Sequence, residues 1–429
     1  MRVTLAYGED GLSVEVPDDS VVVEASVSTP LDDEADAVRR ALHSPLTGPS
    51  FDDLIGRGQR VAVVFPDITR PMPNTTVLPP LLDELERAGV GPARVDLLCA
   101  TGTHRAATHD ELVALVGPEV VGRYRIHQHR SDAIDDHVEV GAVDGVPILL
   151  DRRYVDADRR IVTGFVEPHF FAGWSGGPKG TCPGLAATPT ILEAHSTARI
   201  AHPRSTWLSL EGNPVHEFVS SATDLCPPDL CVDVTIDDRR RLTGVFAGSL
   251  PHSHRAAVAA ASRSVARTVA GRFDVVLTTN GGHPLDRNLY QSVKGLAAAE
   301  RVVAEDGIIV MVAACGDGVP DDGAFARILD TAGDVEALAR PDGPATVDGW
   351  QAQVLGRVLR RARVWMYSDG LSARSVRSAR MVPVDDPSAA VEEAMEVRSR
   401  STGRPARLCV LPRGPLTVAT PDGALPIRS

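Results

Sequence analysis

Lysine is nearly absent from this chain. The 429 residues include only Lys179 and Lys294, although lysine and arginine together number 44. Because arginine serves almost everywhere that a cation is needed, an ordinary surface or salt-bridge role does not explain these two positions. A lysine amine can lose its proton, attack a carbonyl or thiocarbonyl carbon and carry a covalent adduct, whereas guanidinium stays protonated. Both lysines are therefore candidates for chemistry, with chance retention as the alternative.

Other absences exclude whole classes of protein. No apolar run approaches the ~20 residues of a membrane-spanning helix, and Glu9 and Asp10 interrupt the N-terminus before a signal-peptide core forms. The net charge is −13, the pI is near 5.5, and no arginine-rich tract offers a surface for a nucleic-acid backbone. We therefore expect a cytoplasmic protein without membrane or nucleic-acid partners.

Cysteine is sparse and scattered. Of the six cysteines, Cys226 and Cys231 lie five residues apart with two prolines between them. No second pair completes a zinc site, so the spacing favours a loop over a metal centre. Disulfides are not expected in a cytoplasmic chain.

The remaining pattern alternates apolar β-rich runs with helical segments. Near-continuous apolar runs predict strands covered on both faces, and strand–helix alternation predicts an α/β fold with largely parallel sheets flanked by helices. The predicted strands are 60–65, 95–100, 160–165, 273–278, 307–313, 363–367 and 407–411; the predicted helices are 76–88, 189–195, 254–269, 291–303, 349–361 and 388–398. A new strand–helix series begins near residue 270, which predicts domains of 1–270 and 271–429.

Two short polar segments follow predicted strands, where ligands bind in open α/β sheets. In residues 66–71, Asp67 and Arg70 are placed to orient a substrate, with Arg70 gripping a carboxylate. The alternative is a helix cap beside a solvated arginine. In residues 100–105, small residues permit close approach to a phosphate and His104 is a candidate acid/base, whereas the alternative is an ordinary turn.

The two lysines lie in richer segments. Residues 167–195 combine His169, an aromatic cluster, a glycine-rich stretch, Lys179 and His195, which is more than a structural loop requires. In residues 288–294, Gln291 and Lys294 are three apart and share one face if the segment is helical. The alternative for this second segment is a solvated helix face.

Four histidines receive structural interpretations. His127 and His129 alternate on a predicted strand, but no carboxylate or third histidine is close in sequence, so an exposed strand is favoured over a metal pair. His252 lies before the helix predicted for 254–269 and His254 at its first residue, and both are interpreted as loop residues.

Taken together, these segments resemble the nickel-pincer lactate racemase family. The motifs that carry the resemblance are Asp67-Ile-Thr-Arg-Pro, Ala100-Thr-Gly-Thr-His-Arg, His169-Phe-Phe-Ala-Gly-Trp-Ser-Gly-Gly-Pro-Lys, Glu193-Ala-His-Ser, Tyr290-Gln-Ser-Val-Lys and Trp350-Gln-Ala-Gln. The resemblance covers most of the chain, and the order and spacing of the motifs are more specific than any one of them.

The resemblance implies a two-domain α/β enzyme with its active site between an N-terminal catalytic, cofactor-tethering domain and a C-terminal domain that closes over the substrate. It implies a pyridinium mononucleotide with a thioamide and a thiocarboxylate, joined through the thioamide to Lys179 and supplied by separate maturation proteins. Two sulfurs and a ring carbon of this group would hold Ni(II), and His195 would be the fourth ligand. Sulfur and imidazole in a square plane suit Ni(II).

The resemblance also implies a reaction and roles for the site residues. The reaction is racemisation or epimerisation of a 2-hydroxyacid by reversible hydride transfer, with His104 and His169 as alternating acid and base. Arg70 would bind the substrate carboxylate. The residues implied to orient or enclose the substrate are Asp67, Tyr290, Gln291, Lys294 and Trp350; those implied to cradle the cofactor phosphate are Thr101, Gly102, Thr103, Ser175, Gly176 and Gly177.

One departure and two alternatives remain. Pro178 stands before Lys179 where the compared family member has arginine, which removes a cofactor contact or stiffens the loop. Lys179 would also suit a Schiff base with pyridoxal phosphate. A third interpretation is a non-catalytic protein that binds a carboxylate or a nucleotide.

Overall fold

The chain, described from a computed structural model over residues 1–320, 324–339 and 345–423, forms two compact units. The first, here called the N-terminal unit, comprises Val27–His195 and Ser209–Ser264. The C-terminal unit comprises Met1–Ser26, Ser196–Leu208 and the described residues between Val265 and Gly423. The sequence-based division into 1–270 and 271–429 stays a prediction. In the structure, residues 1–26 and 196–208 group with the later part of the chain.

The strands of both units are numbered together in chain order. They are β1 (Arg2–Leu5), β2 (Leu12–Glu15), β3 (Val21–Val22), β4 (Val61–Pro66), β5 (Val95–Ala100), β6 (Arg125–Gln128), β7 (His137–Val143), β8 (Val146–Asp151), β9 (Arg159–Phe165), β10 (Pro168–His169), β11 (Gly173–Trp174), β12 (Leu230–Ile236), β13 (Leu242–Gly248), β14 (Ala266–Val269), β15 (Phe273–Thr279), β16 (Val303–Val312), β17 (Ala362–Tyr367), β18 (Val382–Pro383), β19 (Leu408–Leu411) and β20 (Val418–Pro421).

The α-helices are numbered in the same way. They are α1 (Glu34–His43), α2 (Phe51–Leu54), α3 (Asn74–Arg87), α4 (His109–Val116), α5 (Pro118–Arg123), α6 (Arg152–Val155), α7 (Thr188–Ala194), α8 (Thr197–Ala201), α9 (Pro214–Asp224), α10 (His252–Val265), α11 (Leu289–Glu300), α12 (Ala324–Thr331), α13 (Val335–Leu338), α14 (Gly349–Arg361), α15 (Ala373–Ser378) and α16 (Pro387–Thr402).

The N-terminal unit is built on a six-stranded sheet in the order β13-β12-β9-β4-β5-β6. All neighbours are parallel except β12 and β13. Alternate side chains of β4 enter opposite cores: Val61, Val63 and Phe65 pack on one face, and Ala62 and Val64 on the other. Both faces are therefore covered, which explains why the strand reads as a continuous apolar run.

The C-terminal unit has its own six-stranded sheet, in the order β18-β17-β16-β15-β19-β3, and every pairing in it is parallel. Val275 and Leu277 of β15 and Ile308 and Val310 of β16 pack into one core with Leu5 of β1. The predicted α/β class with parallel sheets is therefore confirmed in both units.

One predicted helix extends four residues into an observed strand. The helix predicted for 254–269 is α10, which ends at Val265, and Ala266–Val269 instead forms β14, paired with β20. Residues 418–421 of the tail thus pack on the C-terminal unit. Among the described residues, no helix has the length and apolar character that crossing a membrane requires.

Candidate active site

The segments 66–71, 100–105 and 167–195 begin at the same edge of the N-terminal sheet. Strands β9, β4 and β5 are adjacent and parallel, so their carboxyl ends share an edge. Asp67 follows β4 directly, Thr101 follows β5 directly, and Glu167 lies two residues after β9. We call Asp67, Arg70, His104, His169, Lys179 and His195 the strand-end cluster.

Asp67 and His104 form a hydrogen-bonded pair. His104 Nδ1 lies 2.9 Å from Asp67 Oδ2, and the Thr69 hydroxyl donates to Asp67 Oδ1 at 2.7 Å. Burial acts to raise the pKa of the Asp67 carboxyl, but the hydrogen bond and charge of His104, aided by Arg70 and Thr69, bring that pKa below its usual value. Because an ionised carboxylate only accepts, Nδ1 of His104 donates and the neutral ring keeps its lone pair on Nε2.

Arg70 faces a carboxylate that the sequence interpretation did not single out. Its Nη1 lies 3.6 Å from Oε1 of Glu167, and each side chain is about one-quarter exposed, at 27% and 23%. This ion pair partly satisfies the guanidinium that was predicted to bind a substrate carboxylate. Any such substrate would meet Glu167 as a competitor for Arg70.

Phe171 brings three members of the cluster together. The Lys179 Nζ lies 5.7 Å from the centre of its ring. The His169 ring lies 4.5 Å from it and the His195 ring 5.2 Å, both in edge-to-face orientation. Phe171 itself is 3% exposed. One buried aromatic ring therefore contacts a candidate base, the candidate tether and the candidate metal ligand.

His195 is a buried neutral imidazole. It follows α7, and its Nδ1 lies 2.9 Å from the Ile191 carbonyl oxygen. A carbonyl only accepts, so Nδ1 carries the proton and the lone pair is on Nε2. Burial, and then the charge of Lys179, lowers its pKa to about 3. A neutral ring with a lone pair on one nitrogen is the form that ligates metals.

His169 has the opposite proton arrangement. Its Nδ1 accepts the backbone N–H of Ala172 at 3.2 Å and of Phe171 at 3.5 Å. In a neutral ring the proton is then on Nε2. The ring is buried and stacks on Phe170 at 4.9 Å. The two candidate bases thus present different Nε2 atoms, a lone pair in His104 and an N–H in His169.

Most of the predicted phosphate-binding groups are already bonded within the protein. The Gly102 N–H donates to the Gly184 carbonyl, the Ser175 N–H to the Glu167 carbonyl and the Gly177 N–H to Asp233. The Thr101 hydroxyl donates to the His129 carbonyl. Within the described residues, the N–H groups of Thr103 and Gly176 have no such acceptor. A phosphate role for this set stays a prediction and rests on those two residues.

The last predicted site residues lie on two helices of the C-terminal unit. On α11, Lys294 Nζ donates to Gln291 Oε1 at 2.6 Å, so the two side chains do share a face. On α14, Trp350 Nε1 donates to the Tyr290 hydroxyl at 3.2 Å. We call Tyr290, Gln291, Lys294 and Trp350 the helix cluster.

The structural interpretations of three histidines are wrong. His252 and His254 lie inside α10, and His254 is buried rather than in a loop. His129 lies one residue beyond the end of β6 and is buried, with its Nδ1 3.4 Å from Oδ2 of Asp151, so it is not on an exposed strand. His127 has a carboxylate 3.1 Å away in Asp96, a neighbour across the sheet that sequence distance hides. Similarly, Cys231 lies in β12 and not in a loop.

Two family models match the chain. They are the lactate racemase N-terminal domain over residues 7–208 and the lactate racemase C-terminal domain over residues 269–419. The lactate racemase of Thermoanaerobacterium thermosaccharolyticum is 31% identical over 423 residues, which are 96% of this chain and 98% of the relative. The lactate racemase of Lactiplantibacillus plantarum is 30% identical over the same shares.

Solved structures agree in fold. The lactate racemase apoprotein from Thermoanaerobacterium thermosaccharolyticum superposes with a TM-score of 0.89 at 30% identity, covering 98% of this chain and 100% of that chain. A protein from Thermotoga maritima has a TM-score of 0.69 at 17% identity over 92% of this chain and 100% of its own, a likeness of fold alone.

Proposed function

The chain belongs to the lactate racemase family and is an isomerase of the racemase type, and from that premise we propose that it inverts a 2-hydroxyacid, lactate or a lactate-like acid, at the carbon bearing the hydroxyl. The observation that carries this proposal is the packing of His169, Lys179 and His195 around Phe171. Beside that group, the Asp67–His104 pair is a second acid/base unit on the same sheet edge.

The residues present fit the nickel-pincer nucleotide that the family resemblance implies. Lys179 is a primary amine, and His195 is a neutral imidazole with its lone pair on Nε2. The described residues contain no group of three or more His, Cys, Asp or Glu side chains suited to a metal. We propose His195 as a protein ligand of the nickel ion, with further ligands supplied by the tethered group. When bound, that group supplies the acceptor and donor of hydride.

His104 is the better prepared of the two bases. Its Nε2 lone pair can take the substrate hydroxyl proton, and Asp67 then stabilises the imidazolium through Nδ1. Inversion requires a second acid/base, because the hydroxyl lies on opposite sides in the two enantiomers. His169 is our candidate for that role.

His169 needs a rearrangement that His104 does not. To accept a proton at Nε2, the ring must first move its single N–H proton from Nε2 to Nδ1, which gives up the hydrogen bonds from the N–H groups of Phe171 and Ala172. Their loss leaves two buried backbone N–H groups without this acceptor, at a cost of about 1–3 kcal/mol for each group. We therefore propose that the two directions of the reaction begin from differently prepared histidines.

Substrate binding is assigned to charged and polar groups of both clusters. Arg70 would receive the carboxylate in exchange for its ion pair with Glu167. Lys294 and Gln291 would orient the polar groups of the substrate, and Tyr290 and Trp350 would bound its side chain. A location of the site between two domains, maturation proteins as partners and a cytoplasmic location stay predictions.

The test is racemisation by matured enzyme. The chain would be produced together with cofactor-maturation proteins and incubated with single enantiomers of lactate and other 2-hydroxyacids, and the products separated by chiral chromatography. We expect the opposite enantiomer to accumulate from either side for at least one acid. Absence of racemisation across the panel, in protein shown to carry nickel and an adduct, would contradict the proposal. A visible absorption band of an internal aldimine would instead support a pyridoxal-phosphate enzyme.

A further inference from the structure

We propose that Asp233 and His254 are positioning residues, which hold the segment Ser175–Gly177 and thereby fix the amine of Lys179. Neither residue belongs to the strand-end cluster. Both are buried beneath the glycine-rich segment, at 0% and 2% exposure. The proposal rests on the role proposed for Lys179, but it concerns the protein before any cofactor is attached.

Asp233 holds the second half of the segment. It lies in β12, next to β9 in the sheet, and its Oδ1 accepts the Gly177 N–H at 2.9 Å. Its Oδ2 accepts the Cys231 thiol at 3.4 Å. Within the described residues, this carboxyl group has no arginine or lysine partner. Burial raises its pKa, and the charge of His254 with the Gly177 and Cys231 hydrogen bonds offsets that only in part.

His254 holds the first half of the segment. It lies in the first turn of α10, and its Nε2 is 2.9 Å from the Ser175 carbonyl oxygen. Since that carbonyl only accepts, Nε2 donates. Asp233 and His254 therefore take hold of one N–H and one carbonyl, two residues apart in the chain.

His254 and Asp233 lie so close to the backbone that positions 177 and 164 have no room for a side chain. A Cβ on Gly177, whose φ is +52°, would lie 2.5 Å from Cγ of His254. A Cβ on Gly164 of β9 would lie 2.4 Å from Oδ1 of Asp233. Glycine at both positions lets the imidazole and the carboxyl group reach the backbone directly.

One short turn connects the segment Ser175–Gly177 to Lys179. The Lys179 N–H donates to the Gly176 carbonyl at 3.2 Å, and Gly177–Gly180 forms a single 3₁₀ turn. Gly176 is thus flanked by the two held groups and also receives the Lys179 backbone. A buried carboxyl group that has no arginine or lysine partner lowers stability, and a well-packed apolar residue would avoid that cost. The hydrogen bond that Asp233 accepts from the Gly177 N–H is a function that an apolar residue could not provide.

The experiment measures the reactivity of the Lys179 amine in unmodified protein. Because the chain has two lysines, acylation with an amine reagent and peptide mass spectrometry report Lys179 and Lys294 separately, with Lys294 as the internal reference. We expect Asp233→Leu and His254→Leu each to raise the labelling rate of Lys179 about fivefold, as loss of one hydrogen bond loosens the segment, and to leave Lys294 unchanged.

Conservative variants separate positioning from mere burial. Asp233→Asn keeps an acceptor for Gly177 and His254→Gln keeps a donor for Ser175, so both should return Lys179 to within about twofold of the wild-type rate. Thr235→Val is the matched control. It removes a buried hydroxyl from the same strand, but that hydroxyl bonds Thr243 and not the segment. Its Lys179 rate should equal the wild-type rate.

A measurement on the wild-type protein guards against variants that fail to fold. The Gly177 amide, bonded to Asp233, should exchange with solvent more slowly than the Gly176 amide. Equal exchange of the two amides, or folded leucine variants in which Lys179 labels at the wild-type rate, would overturn the proposal. Failure of the proposed tether would show elsewhere, as absence of an adduct on Lys179, with the labelling results unaffected.

Discussion

The strand-end cluster and the helix cluster are built in different ways. In the first, three chain segments converge at the ends of parallel strands. His195 and Asp67 are buried there and shifted in pKa, whereas His104, which pairs with Asp67, is 44% exposed. In the second, long side chains of α11 and α14 bond to one another, as Lys294 does to Gln291. From this difference we propose that the strand-end cluster provides proton transfer and the covalent tether, and that the helix cluster orients the substrate.

The largest expected effect is the loss of activity on replacing Lys179, the lysine of the strand-end cluster. Lys179→Arg should abolish both adduct formation and racemisation, because a guanidinium cannot form the thioamide link. Intact-mass measurement and a racemisation assay on co-matured protein would check this. An adduct on the Lys179→Arg protein would contradict the assignment of the tether.

The next effect tests the acid/base pair within the strand-end cluster. His104→Gln should lower kcat by about 10²–10⁴-fold, and Asp67→Asn should lower it less, because it leaves the base but not its stabilising carboxylate. Both variants should retain the adduct. Initial rates from each enantiomer would be compared, and a loss of adduct in either variant would point to a structural role instead.

A smaller effect belongs to the helix cluster. Lys294→Arg keeps the charge but not the compact ammonium that donates to Gln291. We expect kcat/KM to fall roughly tenfold to a hundredfold, or about 1.4–2.7 kcal/mol, while the adduct on Lys179 remains. Wild-type kcat/KM would show that the ammonium is dispensable, and loss of the adduct would erase the contrast between the clusters.

The smallest effect is on stability against acid. Burial, followed by His254, Lys179 and Arg255, lowers the pKa of His216 to about 3. Between its ordinary value of 6.5 and 3, the unfolded chain binds a proton that the folded N-terminal unit refuses, so this histidine lowers the free energy of unfolding as pH falls. The cost reaches about 2 kcal/mol at pH 5 and vanishes above 6.5.

His216→Gln should therefore flatten the fall in unfolding free energy between pH 7 and pH 5. Denaturant titrations at several pH values would measure it, with the exposed His202→Gln as the matched control. An unchanged slope in His216→Gln would show that this histidine is not the source of the acid sensitivity.

The sequence predicted the fold well where a strand is buried on both faces of its sheet or a helix has a regular apolar face. Strand β5 was predicted at its observed bounds because its apolar run is nearly continuous, and α14 because its apolar residues recur at helical spacing. The end of α10 was missed because Ala266–Val269 becomes a strand only by pairing with β20, a partner distant in sequence. Strand pairing at that range leaves no local signal.

The site was readable in its parts but not in its pairings. His104, His169, Lys179 and His195 lie in unusual segments, which singled them out. The roles of Glu167, Asp233 and His254 depend on contacts between segments far apart in the chain. His254 in particular was interpreted as a loop residue. Nothing in the sequence around it indicates that its Nε2 lies 2.9 Å from the Ser175 carbonyl oxygen.

The two lysines together test the central claim most directly. Protein produced with its maturation proteins would be digested and both lysine-containing peptides weighed, with nickel measured on the same sample. We predict an adduct of pyridinium-mononucleotide mass on the Lys179 peptide, an unmodified Lys294 peptide and nickel in proportion to the adduct. Racemising protein whose Lys179 is unmodified, or an adduct on Lys294, would contradict the account.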